Sequence, residues 1–302
     1  MVEDMKQRLV YLDNLKGFAI LLVVLGHCVQ THDLSNSYQF LFKFIYSFHM
    51  PLFMMVSGYF GYKASVVFLK DLKKKASRLL VPYFVWGGIN ILLHKSSLLL
   101  LVTNPDGFLW FLWDLFFISL IVNGTMALVK DNNKAFTVVG LLAVVMLLFG
   151  KFLPNNDYNI KSICWMFQFY VAGMLYNRFL SNRSFNKWFG PVLVALLIIM
   201  VWLRYKYIPQ ESLLSNGIML IIAYVGCFAF FLSFKAYADS HPFLSTLGQA
   251  TLGIYAVHYD CMRISGYVVN NIWLLFVVSV LLSYLFVYVI RKTKYLGFLI
   301  GE

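Results

Sequence analysis

Lys16 and His27 stand eleven residues apart in a stretch that opens Tyr11-Leu12-Asp13-Asn14-Leu15-Lys16-Gly17 and runs on through apolar residues to Leu25-Gly26-His27. At about 3.6 residues per turn this is three turns plus about 20°, so a helix carries both on one face, roughly 16 Å apart along its axis. Asp13 falls near the same face. An ionised side chain at the centre of a membrane span costs roughly 2.5–3.5 kcal/mol or more. A neutral imidazole avoids most of that cost, and this suits a general base. A second reading of the same histidine is a hydrogen bond across helices that holds packing and does no chemistry.

Further polar residues interrupt other apolar stretches. His49 lies in Ser47-Phe48-His49-Met50-Pro51-Leu52-Phe53, upstream of Ser57-Gly58-Tyr59. His258 closes Gly253-Ile254-Tyr255-Ala256-Val257-His258, and Asp114 follows Leu109-Trp110-Phe111-Leu112-Trp113. His27, His49 and His258 are all expected towards the same side of a bilayer, which points to a polar cavity there. Asp114 is expected to pair with a histidine or a lysine. A basic run, Lys70 to Arg78, precedes Pro82-Tyr83. Within it Lys75 and Arg78 share a face if the run is helical, a spacing that suits a phosphate-bearing ligand. Topology and anionic lipids also account for such a loop.

These residues need long apolar elements to hold them. The 302 residues are 61% hydrophobic and 13% charged. Soluble domains have roughly 25% charged residues, and a soluble surface at this length could not be covered with so few. Disorder is excluded by the same composition. Ten helical stretches are expected, at 15–32, 40–61, 79–94, 108–129, 135–153, 160–177, 188–206, 215–235, 246–260 and 272–290. The fold class is all-α: a polytopic membrane helix bundle of about ten spans, read as one domain over residues 1–302. Pro51, Gly58, Pro82 and Gly173 are expected to kink their helices. The first helix is expected to be retained, because no signal-peptidase site follows it closely.

With the start of the chain placed inside, 18 of the 25 Lys and Arg fall on inner segments, Lys6, Arg8 and Lys63 among them. Lys43, Lys95, Lys151, Lys161, Arg204, Lys206 and Arg263 fall outside. The bias puts both termini in the cytoplasm. It also accounts for a formal net charge of +12 without nucleic acid. Cys28, Cys164, Cys227 and Cys261 fit no metal or disulfide spacing, so no metal is expected. No soluble domain is read outside the spans.

Taken in order, these motifs resemble the acyltransferase-3 family of integral membrane acyltransferases, in particular its bacterial glycan O-acetyltransferase branch, close to fucose 4-O-acetylase-like members. The matching elements are the basic residue and histidine of the first helix (Lys16, His27), Ser47 to Phe53 with Ser57-Gly58-Tyr59, and the basic-x-x-Arg element Lys75–Arg78 with Pro82-Tyr83. Leu109-Trp110-Phe111-Leu112 and Gly253-Ile254-Tyr255-x-x-His258 complete the series. Lys75 departs from the commoner arginine and loses its bidentate grip. The resemblance implies acetyl-CoA as a cytoplasmic co-substrate, with Lys75, Arg78 and Lys16 at its phosphates. It implies His27 as the base on an acceptor hydroxyl, in direct transfer or through an acyl-enzyme. His49, Ser57 and Trp110 are candidates for the oxyanion, and with Asp114 and His258 they form the acceptor side. The implied acceptor is a glycan of a capsule, lipopolysaccharide, exopolysaccharide or lipid-linked oligosaccharide, and the implied location is the bacterial cytoplasmic (inner) membrane, among its lipids. A transporter or flippase for a glycan or lipid intermediate is the alternative. It would be marked by matched broken helices, which the sequence does not display.

Overall fold

The computed structural model describes residues 9–32, 36–61, 67–93, 95–105, 109–153, 157–208, 213–237 and 241–302. Lys6, Arg8 and Lys63 of the charge count lie outside them. The helices in chain order are α1 (Val10–His32), α2 (Asn36–Tyr46), α3 (His49–Gly61), α4 (Phe68–Lys75), α5 (Val81–Leu93), α6 (Leu100–Thr103) and α7 (Trp110–Leu128). They continue with α8 (Asn132–Phe149), α9 (Ile160–Leu175), α10 (Phe189–Tyr207), α11 (Leu213–Ala236), α12 (Pro242–Gln249), α13 (Thr251–Gly266) and α14 (Ile272–Lys292). No strand occurs among the described residues.

Eight helical stretches are long and apolar enough to cross a membrane. The chain is therefore an all-α, multi-pass membrane protein. Large apolar side chains such as Leu141 and Val145 on α8, Val192 and Ile199 on α10, and Leu281 and Leu285 on α14 are exposed and face lipid. All ten expected stretches are helical. α9 and α13, at 16 residues each, are shorter than these eight stretches and are not among them. Several boundaries differ from expectation: α1 begins at Val10, and the stretch 40–61 is parted at Ser47–Phe48. The stretch 246–260 is two helices parted at Ala250, because the Thr251 hydroxyl caps the carbonyls of Leu247 and Gly248. The basic loop is helical from Phe68 and continues into α5 through a π turn, Ala76–Leu80.

The chain divides into two compact units. The first comprises Met1–His49 and Ser184–Thr251. Here α1 crosses α12 at van der Waals contact: a Cβ on Gly17 would run into the Leu244 carbonyl, and one on Gly248 into the Asp13 carbonyl. Phe18 packs in tilted contact with Phe230 and Phe234 of α11, and α10 pairs with α11. α2 ends at Tyr46 because Pro51 has no N–H to offer the Ser47 carbonyl; α3 then starts afresh with the proline in its first turn, where it is tolerated.

The second unit comprises Met50–Arg183 and Leu252–Glu302. It has the same device. A Cβ on Gly58 of α3 would meet the Tyr170 carbonyl of α9, and one on Gly173 the Met55 carbonyl. Both helices run through Gly58 and Gly173 without interruption, and the missing Cβ atoms admit the close crossing. Pro82 does mark an irregularity. It cannot donate to the Arg78 carbonyl, and Val81 N–H bonds back to Ala76 in π geometry. The segment Gly297–Gly301 docks on this helix: Trp86 Nε1 donates to the Leu299 carbonyl at 2.8 Å and Arg78 Nε to the Gly301 carbonyl at 3.0 Å.

Candidate active site

In the first unit, α1 separates its two ionisable residues as the spacing predicts. Lys16 is near the start and is paired with Asp13 at 2.7 Å, one turn back. His27 is half-buried, five residues before the helix ends. Its Nδ1 lies 3.2 Å from Gln30 Oε1 and 3.4 Å from the Tyr46 hydroxyl oxygen. The Tyr46 hydroxyl donates its one proton to the same Gln30 oxygen, at 2.8 Å. Both atoms facing Nδ1 are therefore acceptors, so Nδ1 carries the hydrogen. In the neutral ring the lone pair is then on Nε2.

Tyr46 stands between two histidines. Its ring centre is 6.3 Å from that of His27 and 4.8 Å from that of His49. His49 is 3% exposed, and its Nδ1 donates to the Ile45 carbonyl at 2.8 Å. The structure thus brings His27 and His49 to one tyrosine and leaves Lys16 at the other end of α1.

The second unit holds the remaining candidates. His258 on α13 is fully buried; its Nδ1 donates to the Tyr255 carbonyl at 2.8 Å. Asp114 is also fully buried, on the first turns of α7. Its carboxylate accepts from Asn159 Nδ2 and from the Ser162 hydroxyl, each at 2.6 Å. The neighbouring Trp113 donates to the Tyr158 carbonyl at 3.1 Å. Tyr158 and Asn159 have φ of 55° and 60°, left-handed backbone that costs a non-glycine residue about 1 kcal/mol or more. Asp114 and Trp113 both bond to the segment that leads into α9. Trp110 opens α7 and Ser57 lies on α3; both are half-buried.

Lys75 and Arg78 part company. Lys75 is half-buried, reaches the Tyr170 hydroxyl at 3.2 Å and lines a pocket of about 180 Å³ with Ser119 and Asn123 of α7. Arg78 is exposed and is held through Nε by Gly301. The i→i+5 bonding of the π turn widens the helix between them, so the common face expected of a regular helix is not formed. A half-buried lysine and an exposed, oriented guanidinium are both chemically suited to phosphate oxygens.

The acyltransferase domain that defines the acyltransferase-3 family matches residues 9–292. The chain belongs to the acyltransferase-3 family. Among curated relatives of this family member, nodulation protein NolL of Mesorhizobium japonicum is 26% identical over 226 residues, 69% of this chain and 59% of the relative. Nodulation protein NolL of Sinorhizobium fredii is 29% identical over 231 residues, 68% of this chain and 60% of the relative. The aligned part thus spans about 60% of the length of these relatives. No solved structure matches the chain.

Gln30 and Tyr46, the residues that orient His27, were not singled out by sequence. Gln30 had a signal, one turn beyond His27 on the same helix. Tyr46 had none beyond its place before Ser47-Phe48-His49. Ser119 and Asn123 were likewise missed, because two polar residues in an apolar span are ordinary until a lysine is seen beside them.

Proposed function

We propose that this acyltransferase-3 member is a membrane O-acetyltransferase that moves an acetyl group from acetyl-CoA to a hydroxyl of a cell-surface or lipid-linked glycan. The observation that carries the reading is the tether on His27. Gln30 and Tyr46 fix Nδ1 as the donor and leave Nε2 as the base. His27 Nε2 takes the proton of the acceptor hydroxyl as that oxygen attacks the thioester carbonyl, and the thiol leaves with a proton from the same imidazole. Lys75 and Arg78 hold the donor's phosphates, and Lys16, already neutralised by Asp13, contributes at the start of α1. His49, Ser57, Trp110 and His258 serve the acceptor side. The two compact units form one acyltransferase domain in this reading, in the bacterial inner membrane with both termini cytoplasmic.

Purified protein in proteoliposomes, given labelled acetyl-CoA and an acceptor glycan, tests the reading. Label is expected on the glycan, with one acetyl of added mass per modified unit, and His27→Ala is expected to abolish it in protein that inserts normally. Thioester consumption and glycan labelling that persist at the wild-type rate in His27→Ala would overturn it.

A further inference from the structure

One cluster in the first unit has no part in the reading above. Lys43 on α2 and Arg204 near the end of α10 line one pocket, and the Arg204 charge acts on Lys43. Two like charges in apolar helices repel and lose hydration, so their juxtaposition is unfavourable without an anion. Arg204 Nη2 donates to the buried Ser215 hydroxyl at 2.9 Å, while its Nε is buried and has no hydrogen-bond partner among the described residues. Lys43 Nζ sits 4.3 Å above the Tyr205 ring, whose hydroxyl bonds to Gln39. Among the described residues neither cation has a carboxylate partner. Between them is a pocket of about 250 Å³, its open mouth included, lined by Lys43, Ser47, Arg204 and Tyr205 over an apolar floor that includes Val201 and Met219.

We propose that this pocket is a phosphate-binding site for the acceptor. An ammonium and a guanidinium with an unused buried N–H match the several oxygens of a phosphate. A neutral sugar would not need two cations. The position gives the assignment its meaning. Lys43 and Tyr46 are three residues apart on α2, about 4.5 Å of rise, and Tyr46 is the residue that orients His27. The anion site therefore adjoins the base within one unit. A molecule that offers a phosphate to Lys43 and Arg204 and a hydroxyl to His27 is a glycan carried on a phosphate or diphosphate, the chemistry of a lipid-linked intermediate. This rests on the acetyl-transfer reading and narrows its acceptor class.

The test uses the whole chain in nanodiscs, with two acceptors that differ only in the presence of a lipid diphosphate. Lys43→Gln and Arg204→Gln are each expected to raise KM for the phosphorylated acceptor about tenfold, and the double variant about a hundredfold. The phosphate-free acceptor, which makes no such contact, should keep its KM, and Lys43→Arg should restore the phosphorylated one. Equal KM values in wild type and double variant, or an equal loss with both acceptors, would overturn the proposal. Calorimetric titration of inorganic pyrophosphate into phospholipid-free protein gives a readout independent of acetyl transfer. Wild type should bind and the double variant should not, even if neither acceptor is acetylated. Equal binding by both overturns the site. Loss of pyrophosphate binding with an unchanged acceptor KM assigns the pocket to a bilayer phospholipid headgroup and overturns the acceptor assignment.

Discussion

His27 and His258 are both tethered through Nδ1, and they differ in what holds it. His27 is held by two side chains, one from its own helix and one from α2, and its ring is half-buried. His258 is fully buried and bonds to a carbonyl one turn back on its own helix. A backbone tether within one helix forms wherever a histidine's rotamer allows it. A side-chain tether from a second helix forms only when the tertiary fold delivers the partner. The second arrangement fixes a tautomer at a ring that a ligand can reach, as a general base requires. The first satisfies a buried polar group and serves packing equally well.

The sharpest way to break this comparison is to remove each imidazole in turn. His27→Gln is expected to lower kcat for acetyl transfer by roughly 10²–10⁴-fold, the range for loss of a general base. His258→Gln should lower it less than about tenfold, the share of one net hydrogen bond. Initial rates with labelled donor decide it, and equal losses would remove the distinction.

A second pair of variants asks whether the donor side is separate. Arg78→Ala with Lys75→Ala should raise KM for acetyl-CoA about ten- to a hundredfold, as expected for lost charge-assisted hydrogen bonds, with a smaller change in kcat. A CoA titration of correctly inserted protein checks it; unchanged affinity means that the cluster sets topology alone.

The tether itself is tested by Tyr46→Phe and Gln30→Leu. Each should lower kcat several-fold to about tenfold by releasing the His27 ring, with KM for acetyl-CoA unchanged. A fall in donor affinity instead would move Tyr46 and Gln30 out of the orienting role.

The smallest catalytic effect is expected at Asp114. Asp114→Asn keeps the shape and loses the charge, weakening two hydrogen bonds at a strained turn. Stability should fall by about 1–3 kcal/mol, read as a lower melting temperature in detergent, while donor and acceptor KM stay close to wild type.

Membrane residence and helix content were legible in the sequence because they rest on local quantities. Hydropathy over about 20 residues marks a span, and an ionisable residue inside one stands out against its neighbours. The parting of Lys75 and Arg78 was not legible. It follows from Pro82, whose missing N–H disturbs the turn that contains both, and the spacing rule assumes a regular helix. Gly58 and Gly173 read as flexible points for a similar reason. A glycine looks the same in sequence whether it bends one helix or admits another, and only the backbone carbonyl lying against each decides which.

What the sequence determined by itself was therefore the set of elements and which of them carry reactive groups, since apolar runs, charge bias and residue type act over a few turns of chain. What only the tertiary structure decided was the state of those groups. The nitrogen of His27 that keeps its lone pair depends on Tyr46, nineteen residues away. Two partners of Asp114 come from a left-handed turn and from the first turn of α9, 45 and 48 residues on. Lys43 and Arg204, 161 residues apart in the chain, reach one pocket. Hydrogen bonds and charge pairs act over a few ångströms, and residues so far apart in the chain come within that range only after the helices have packed.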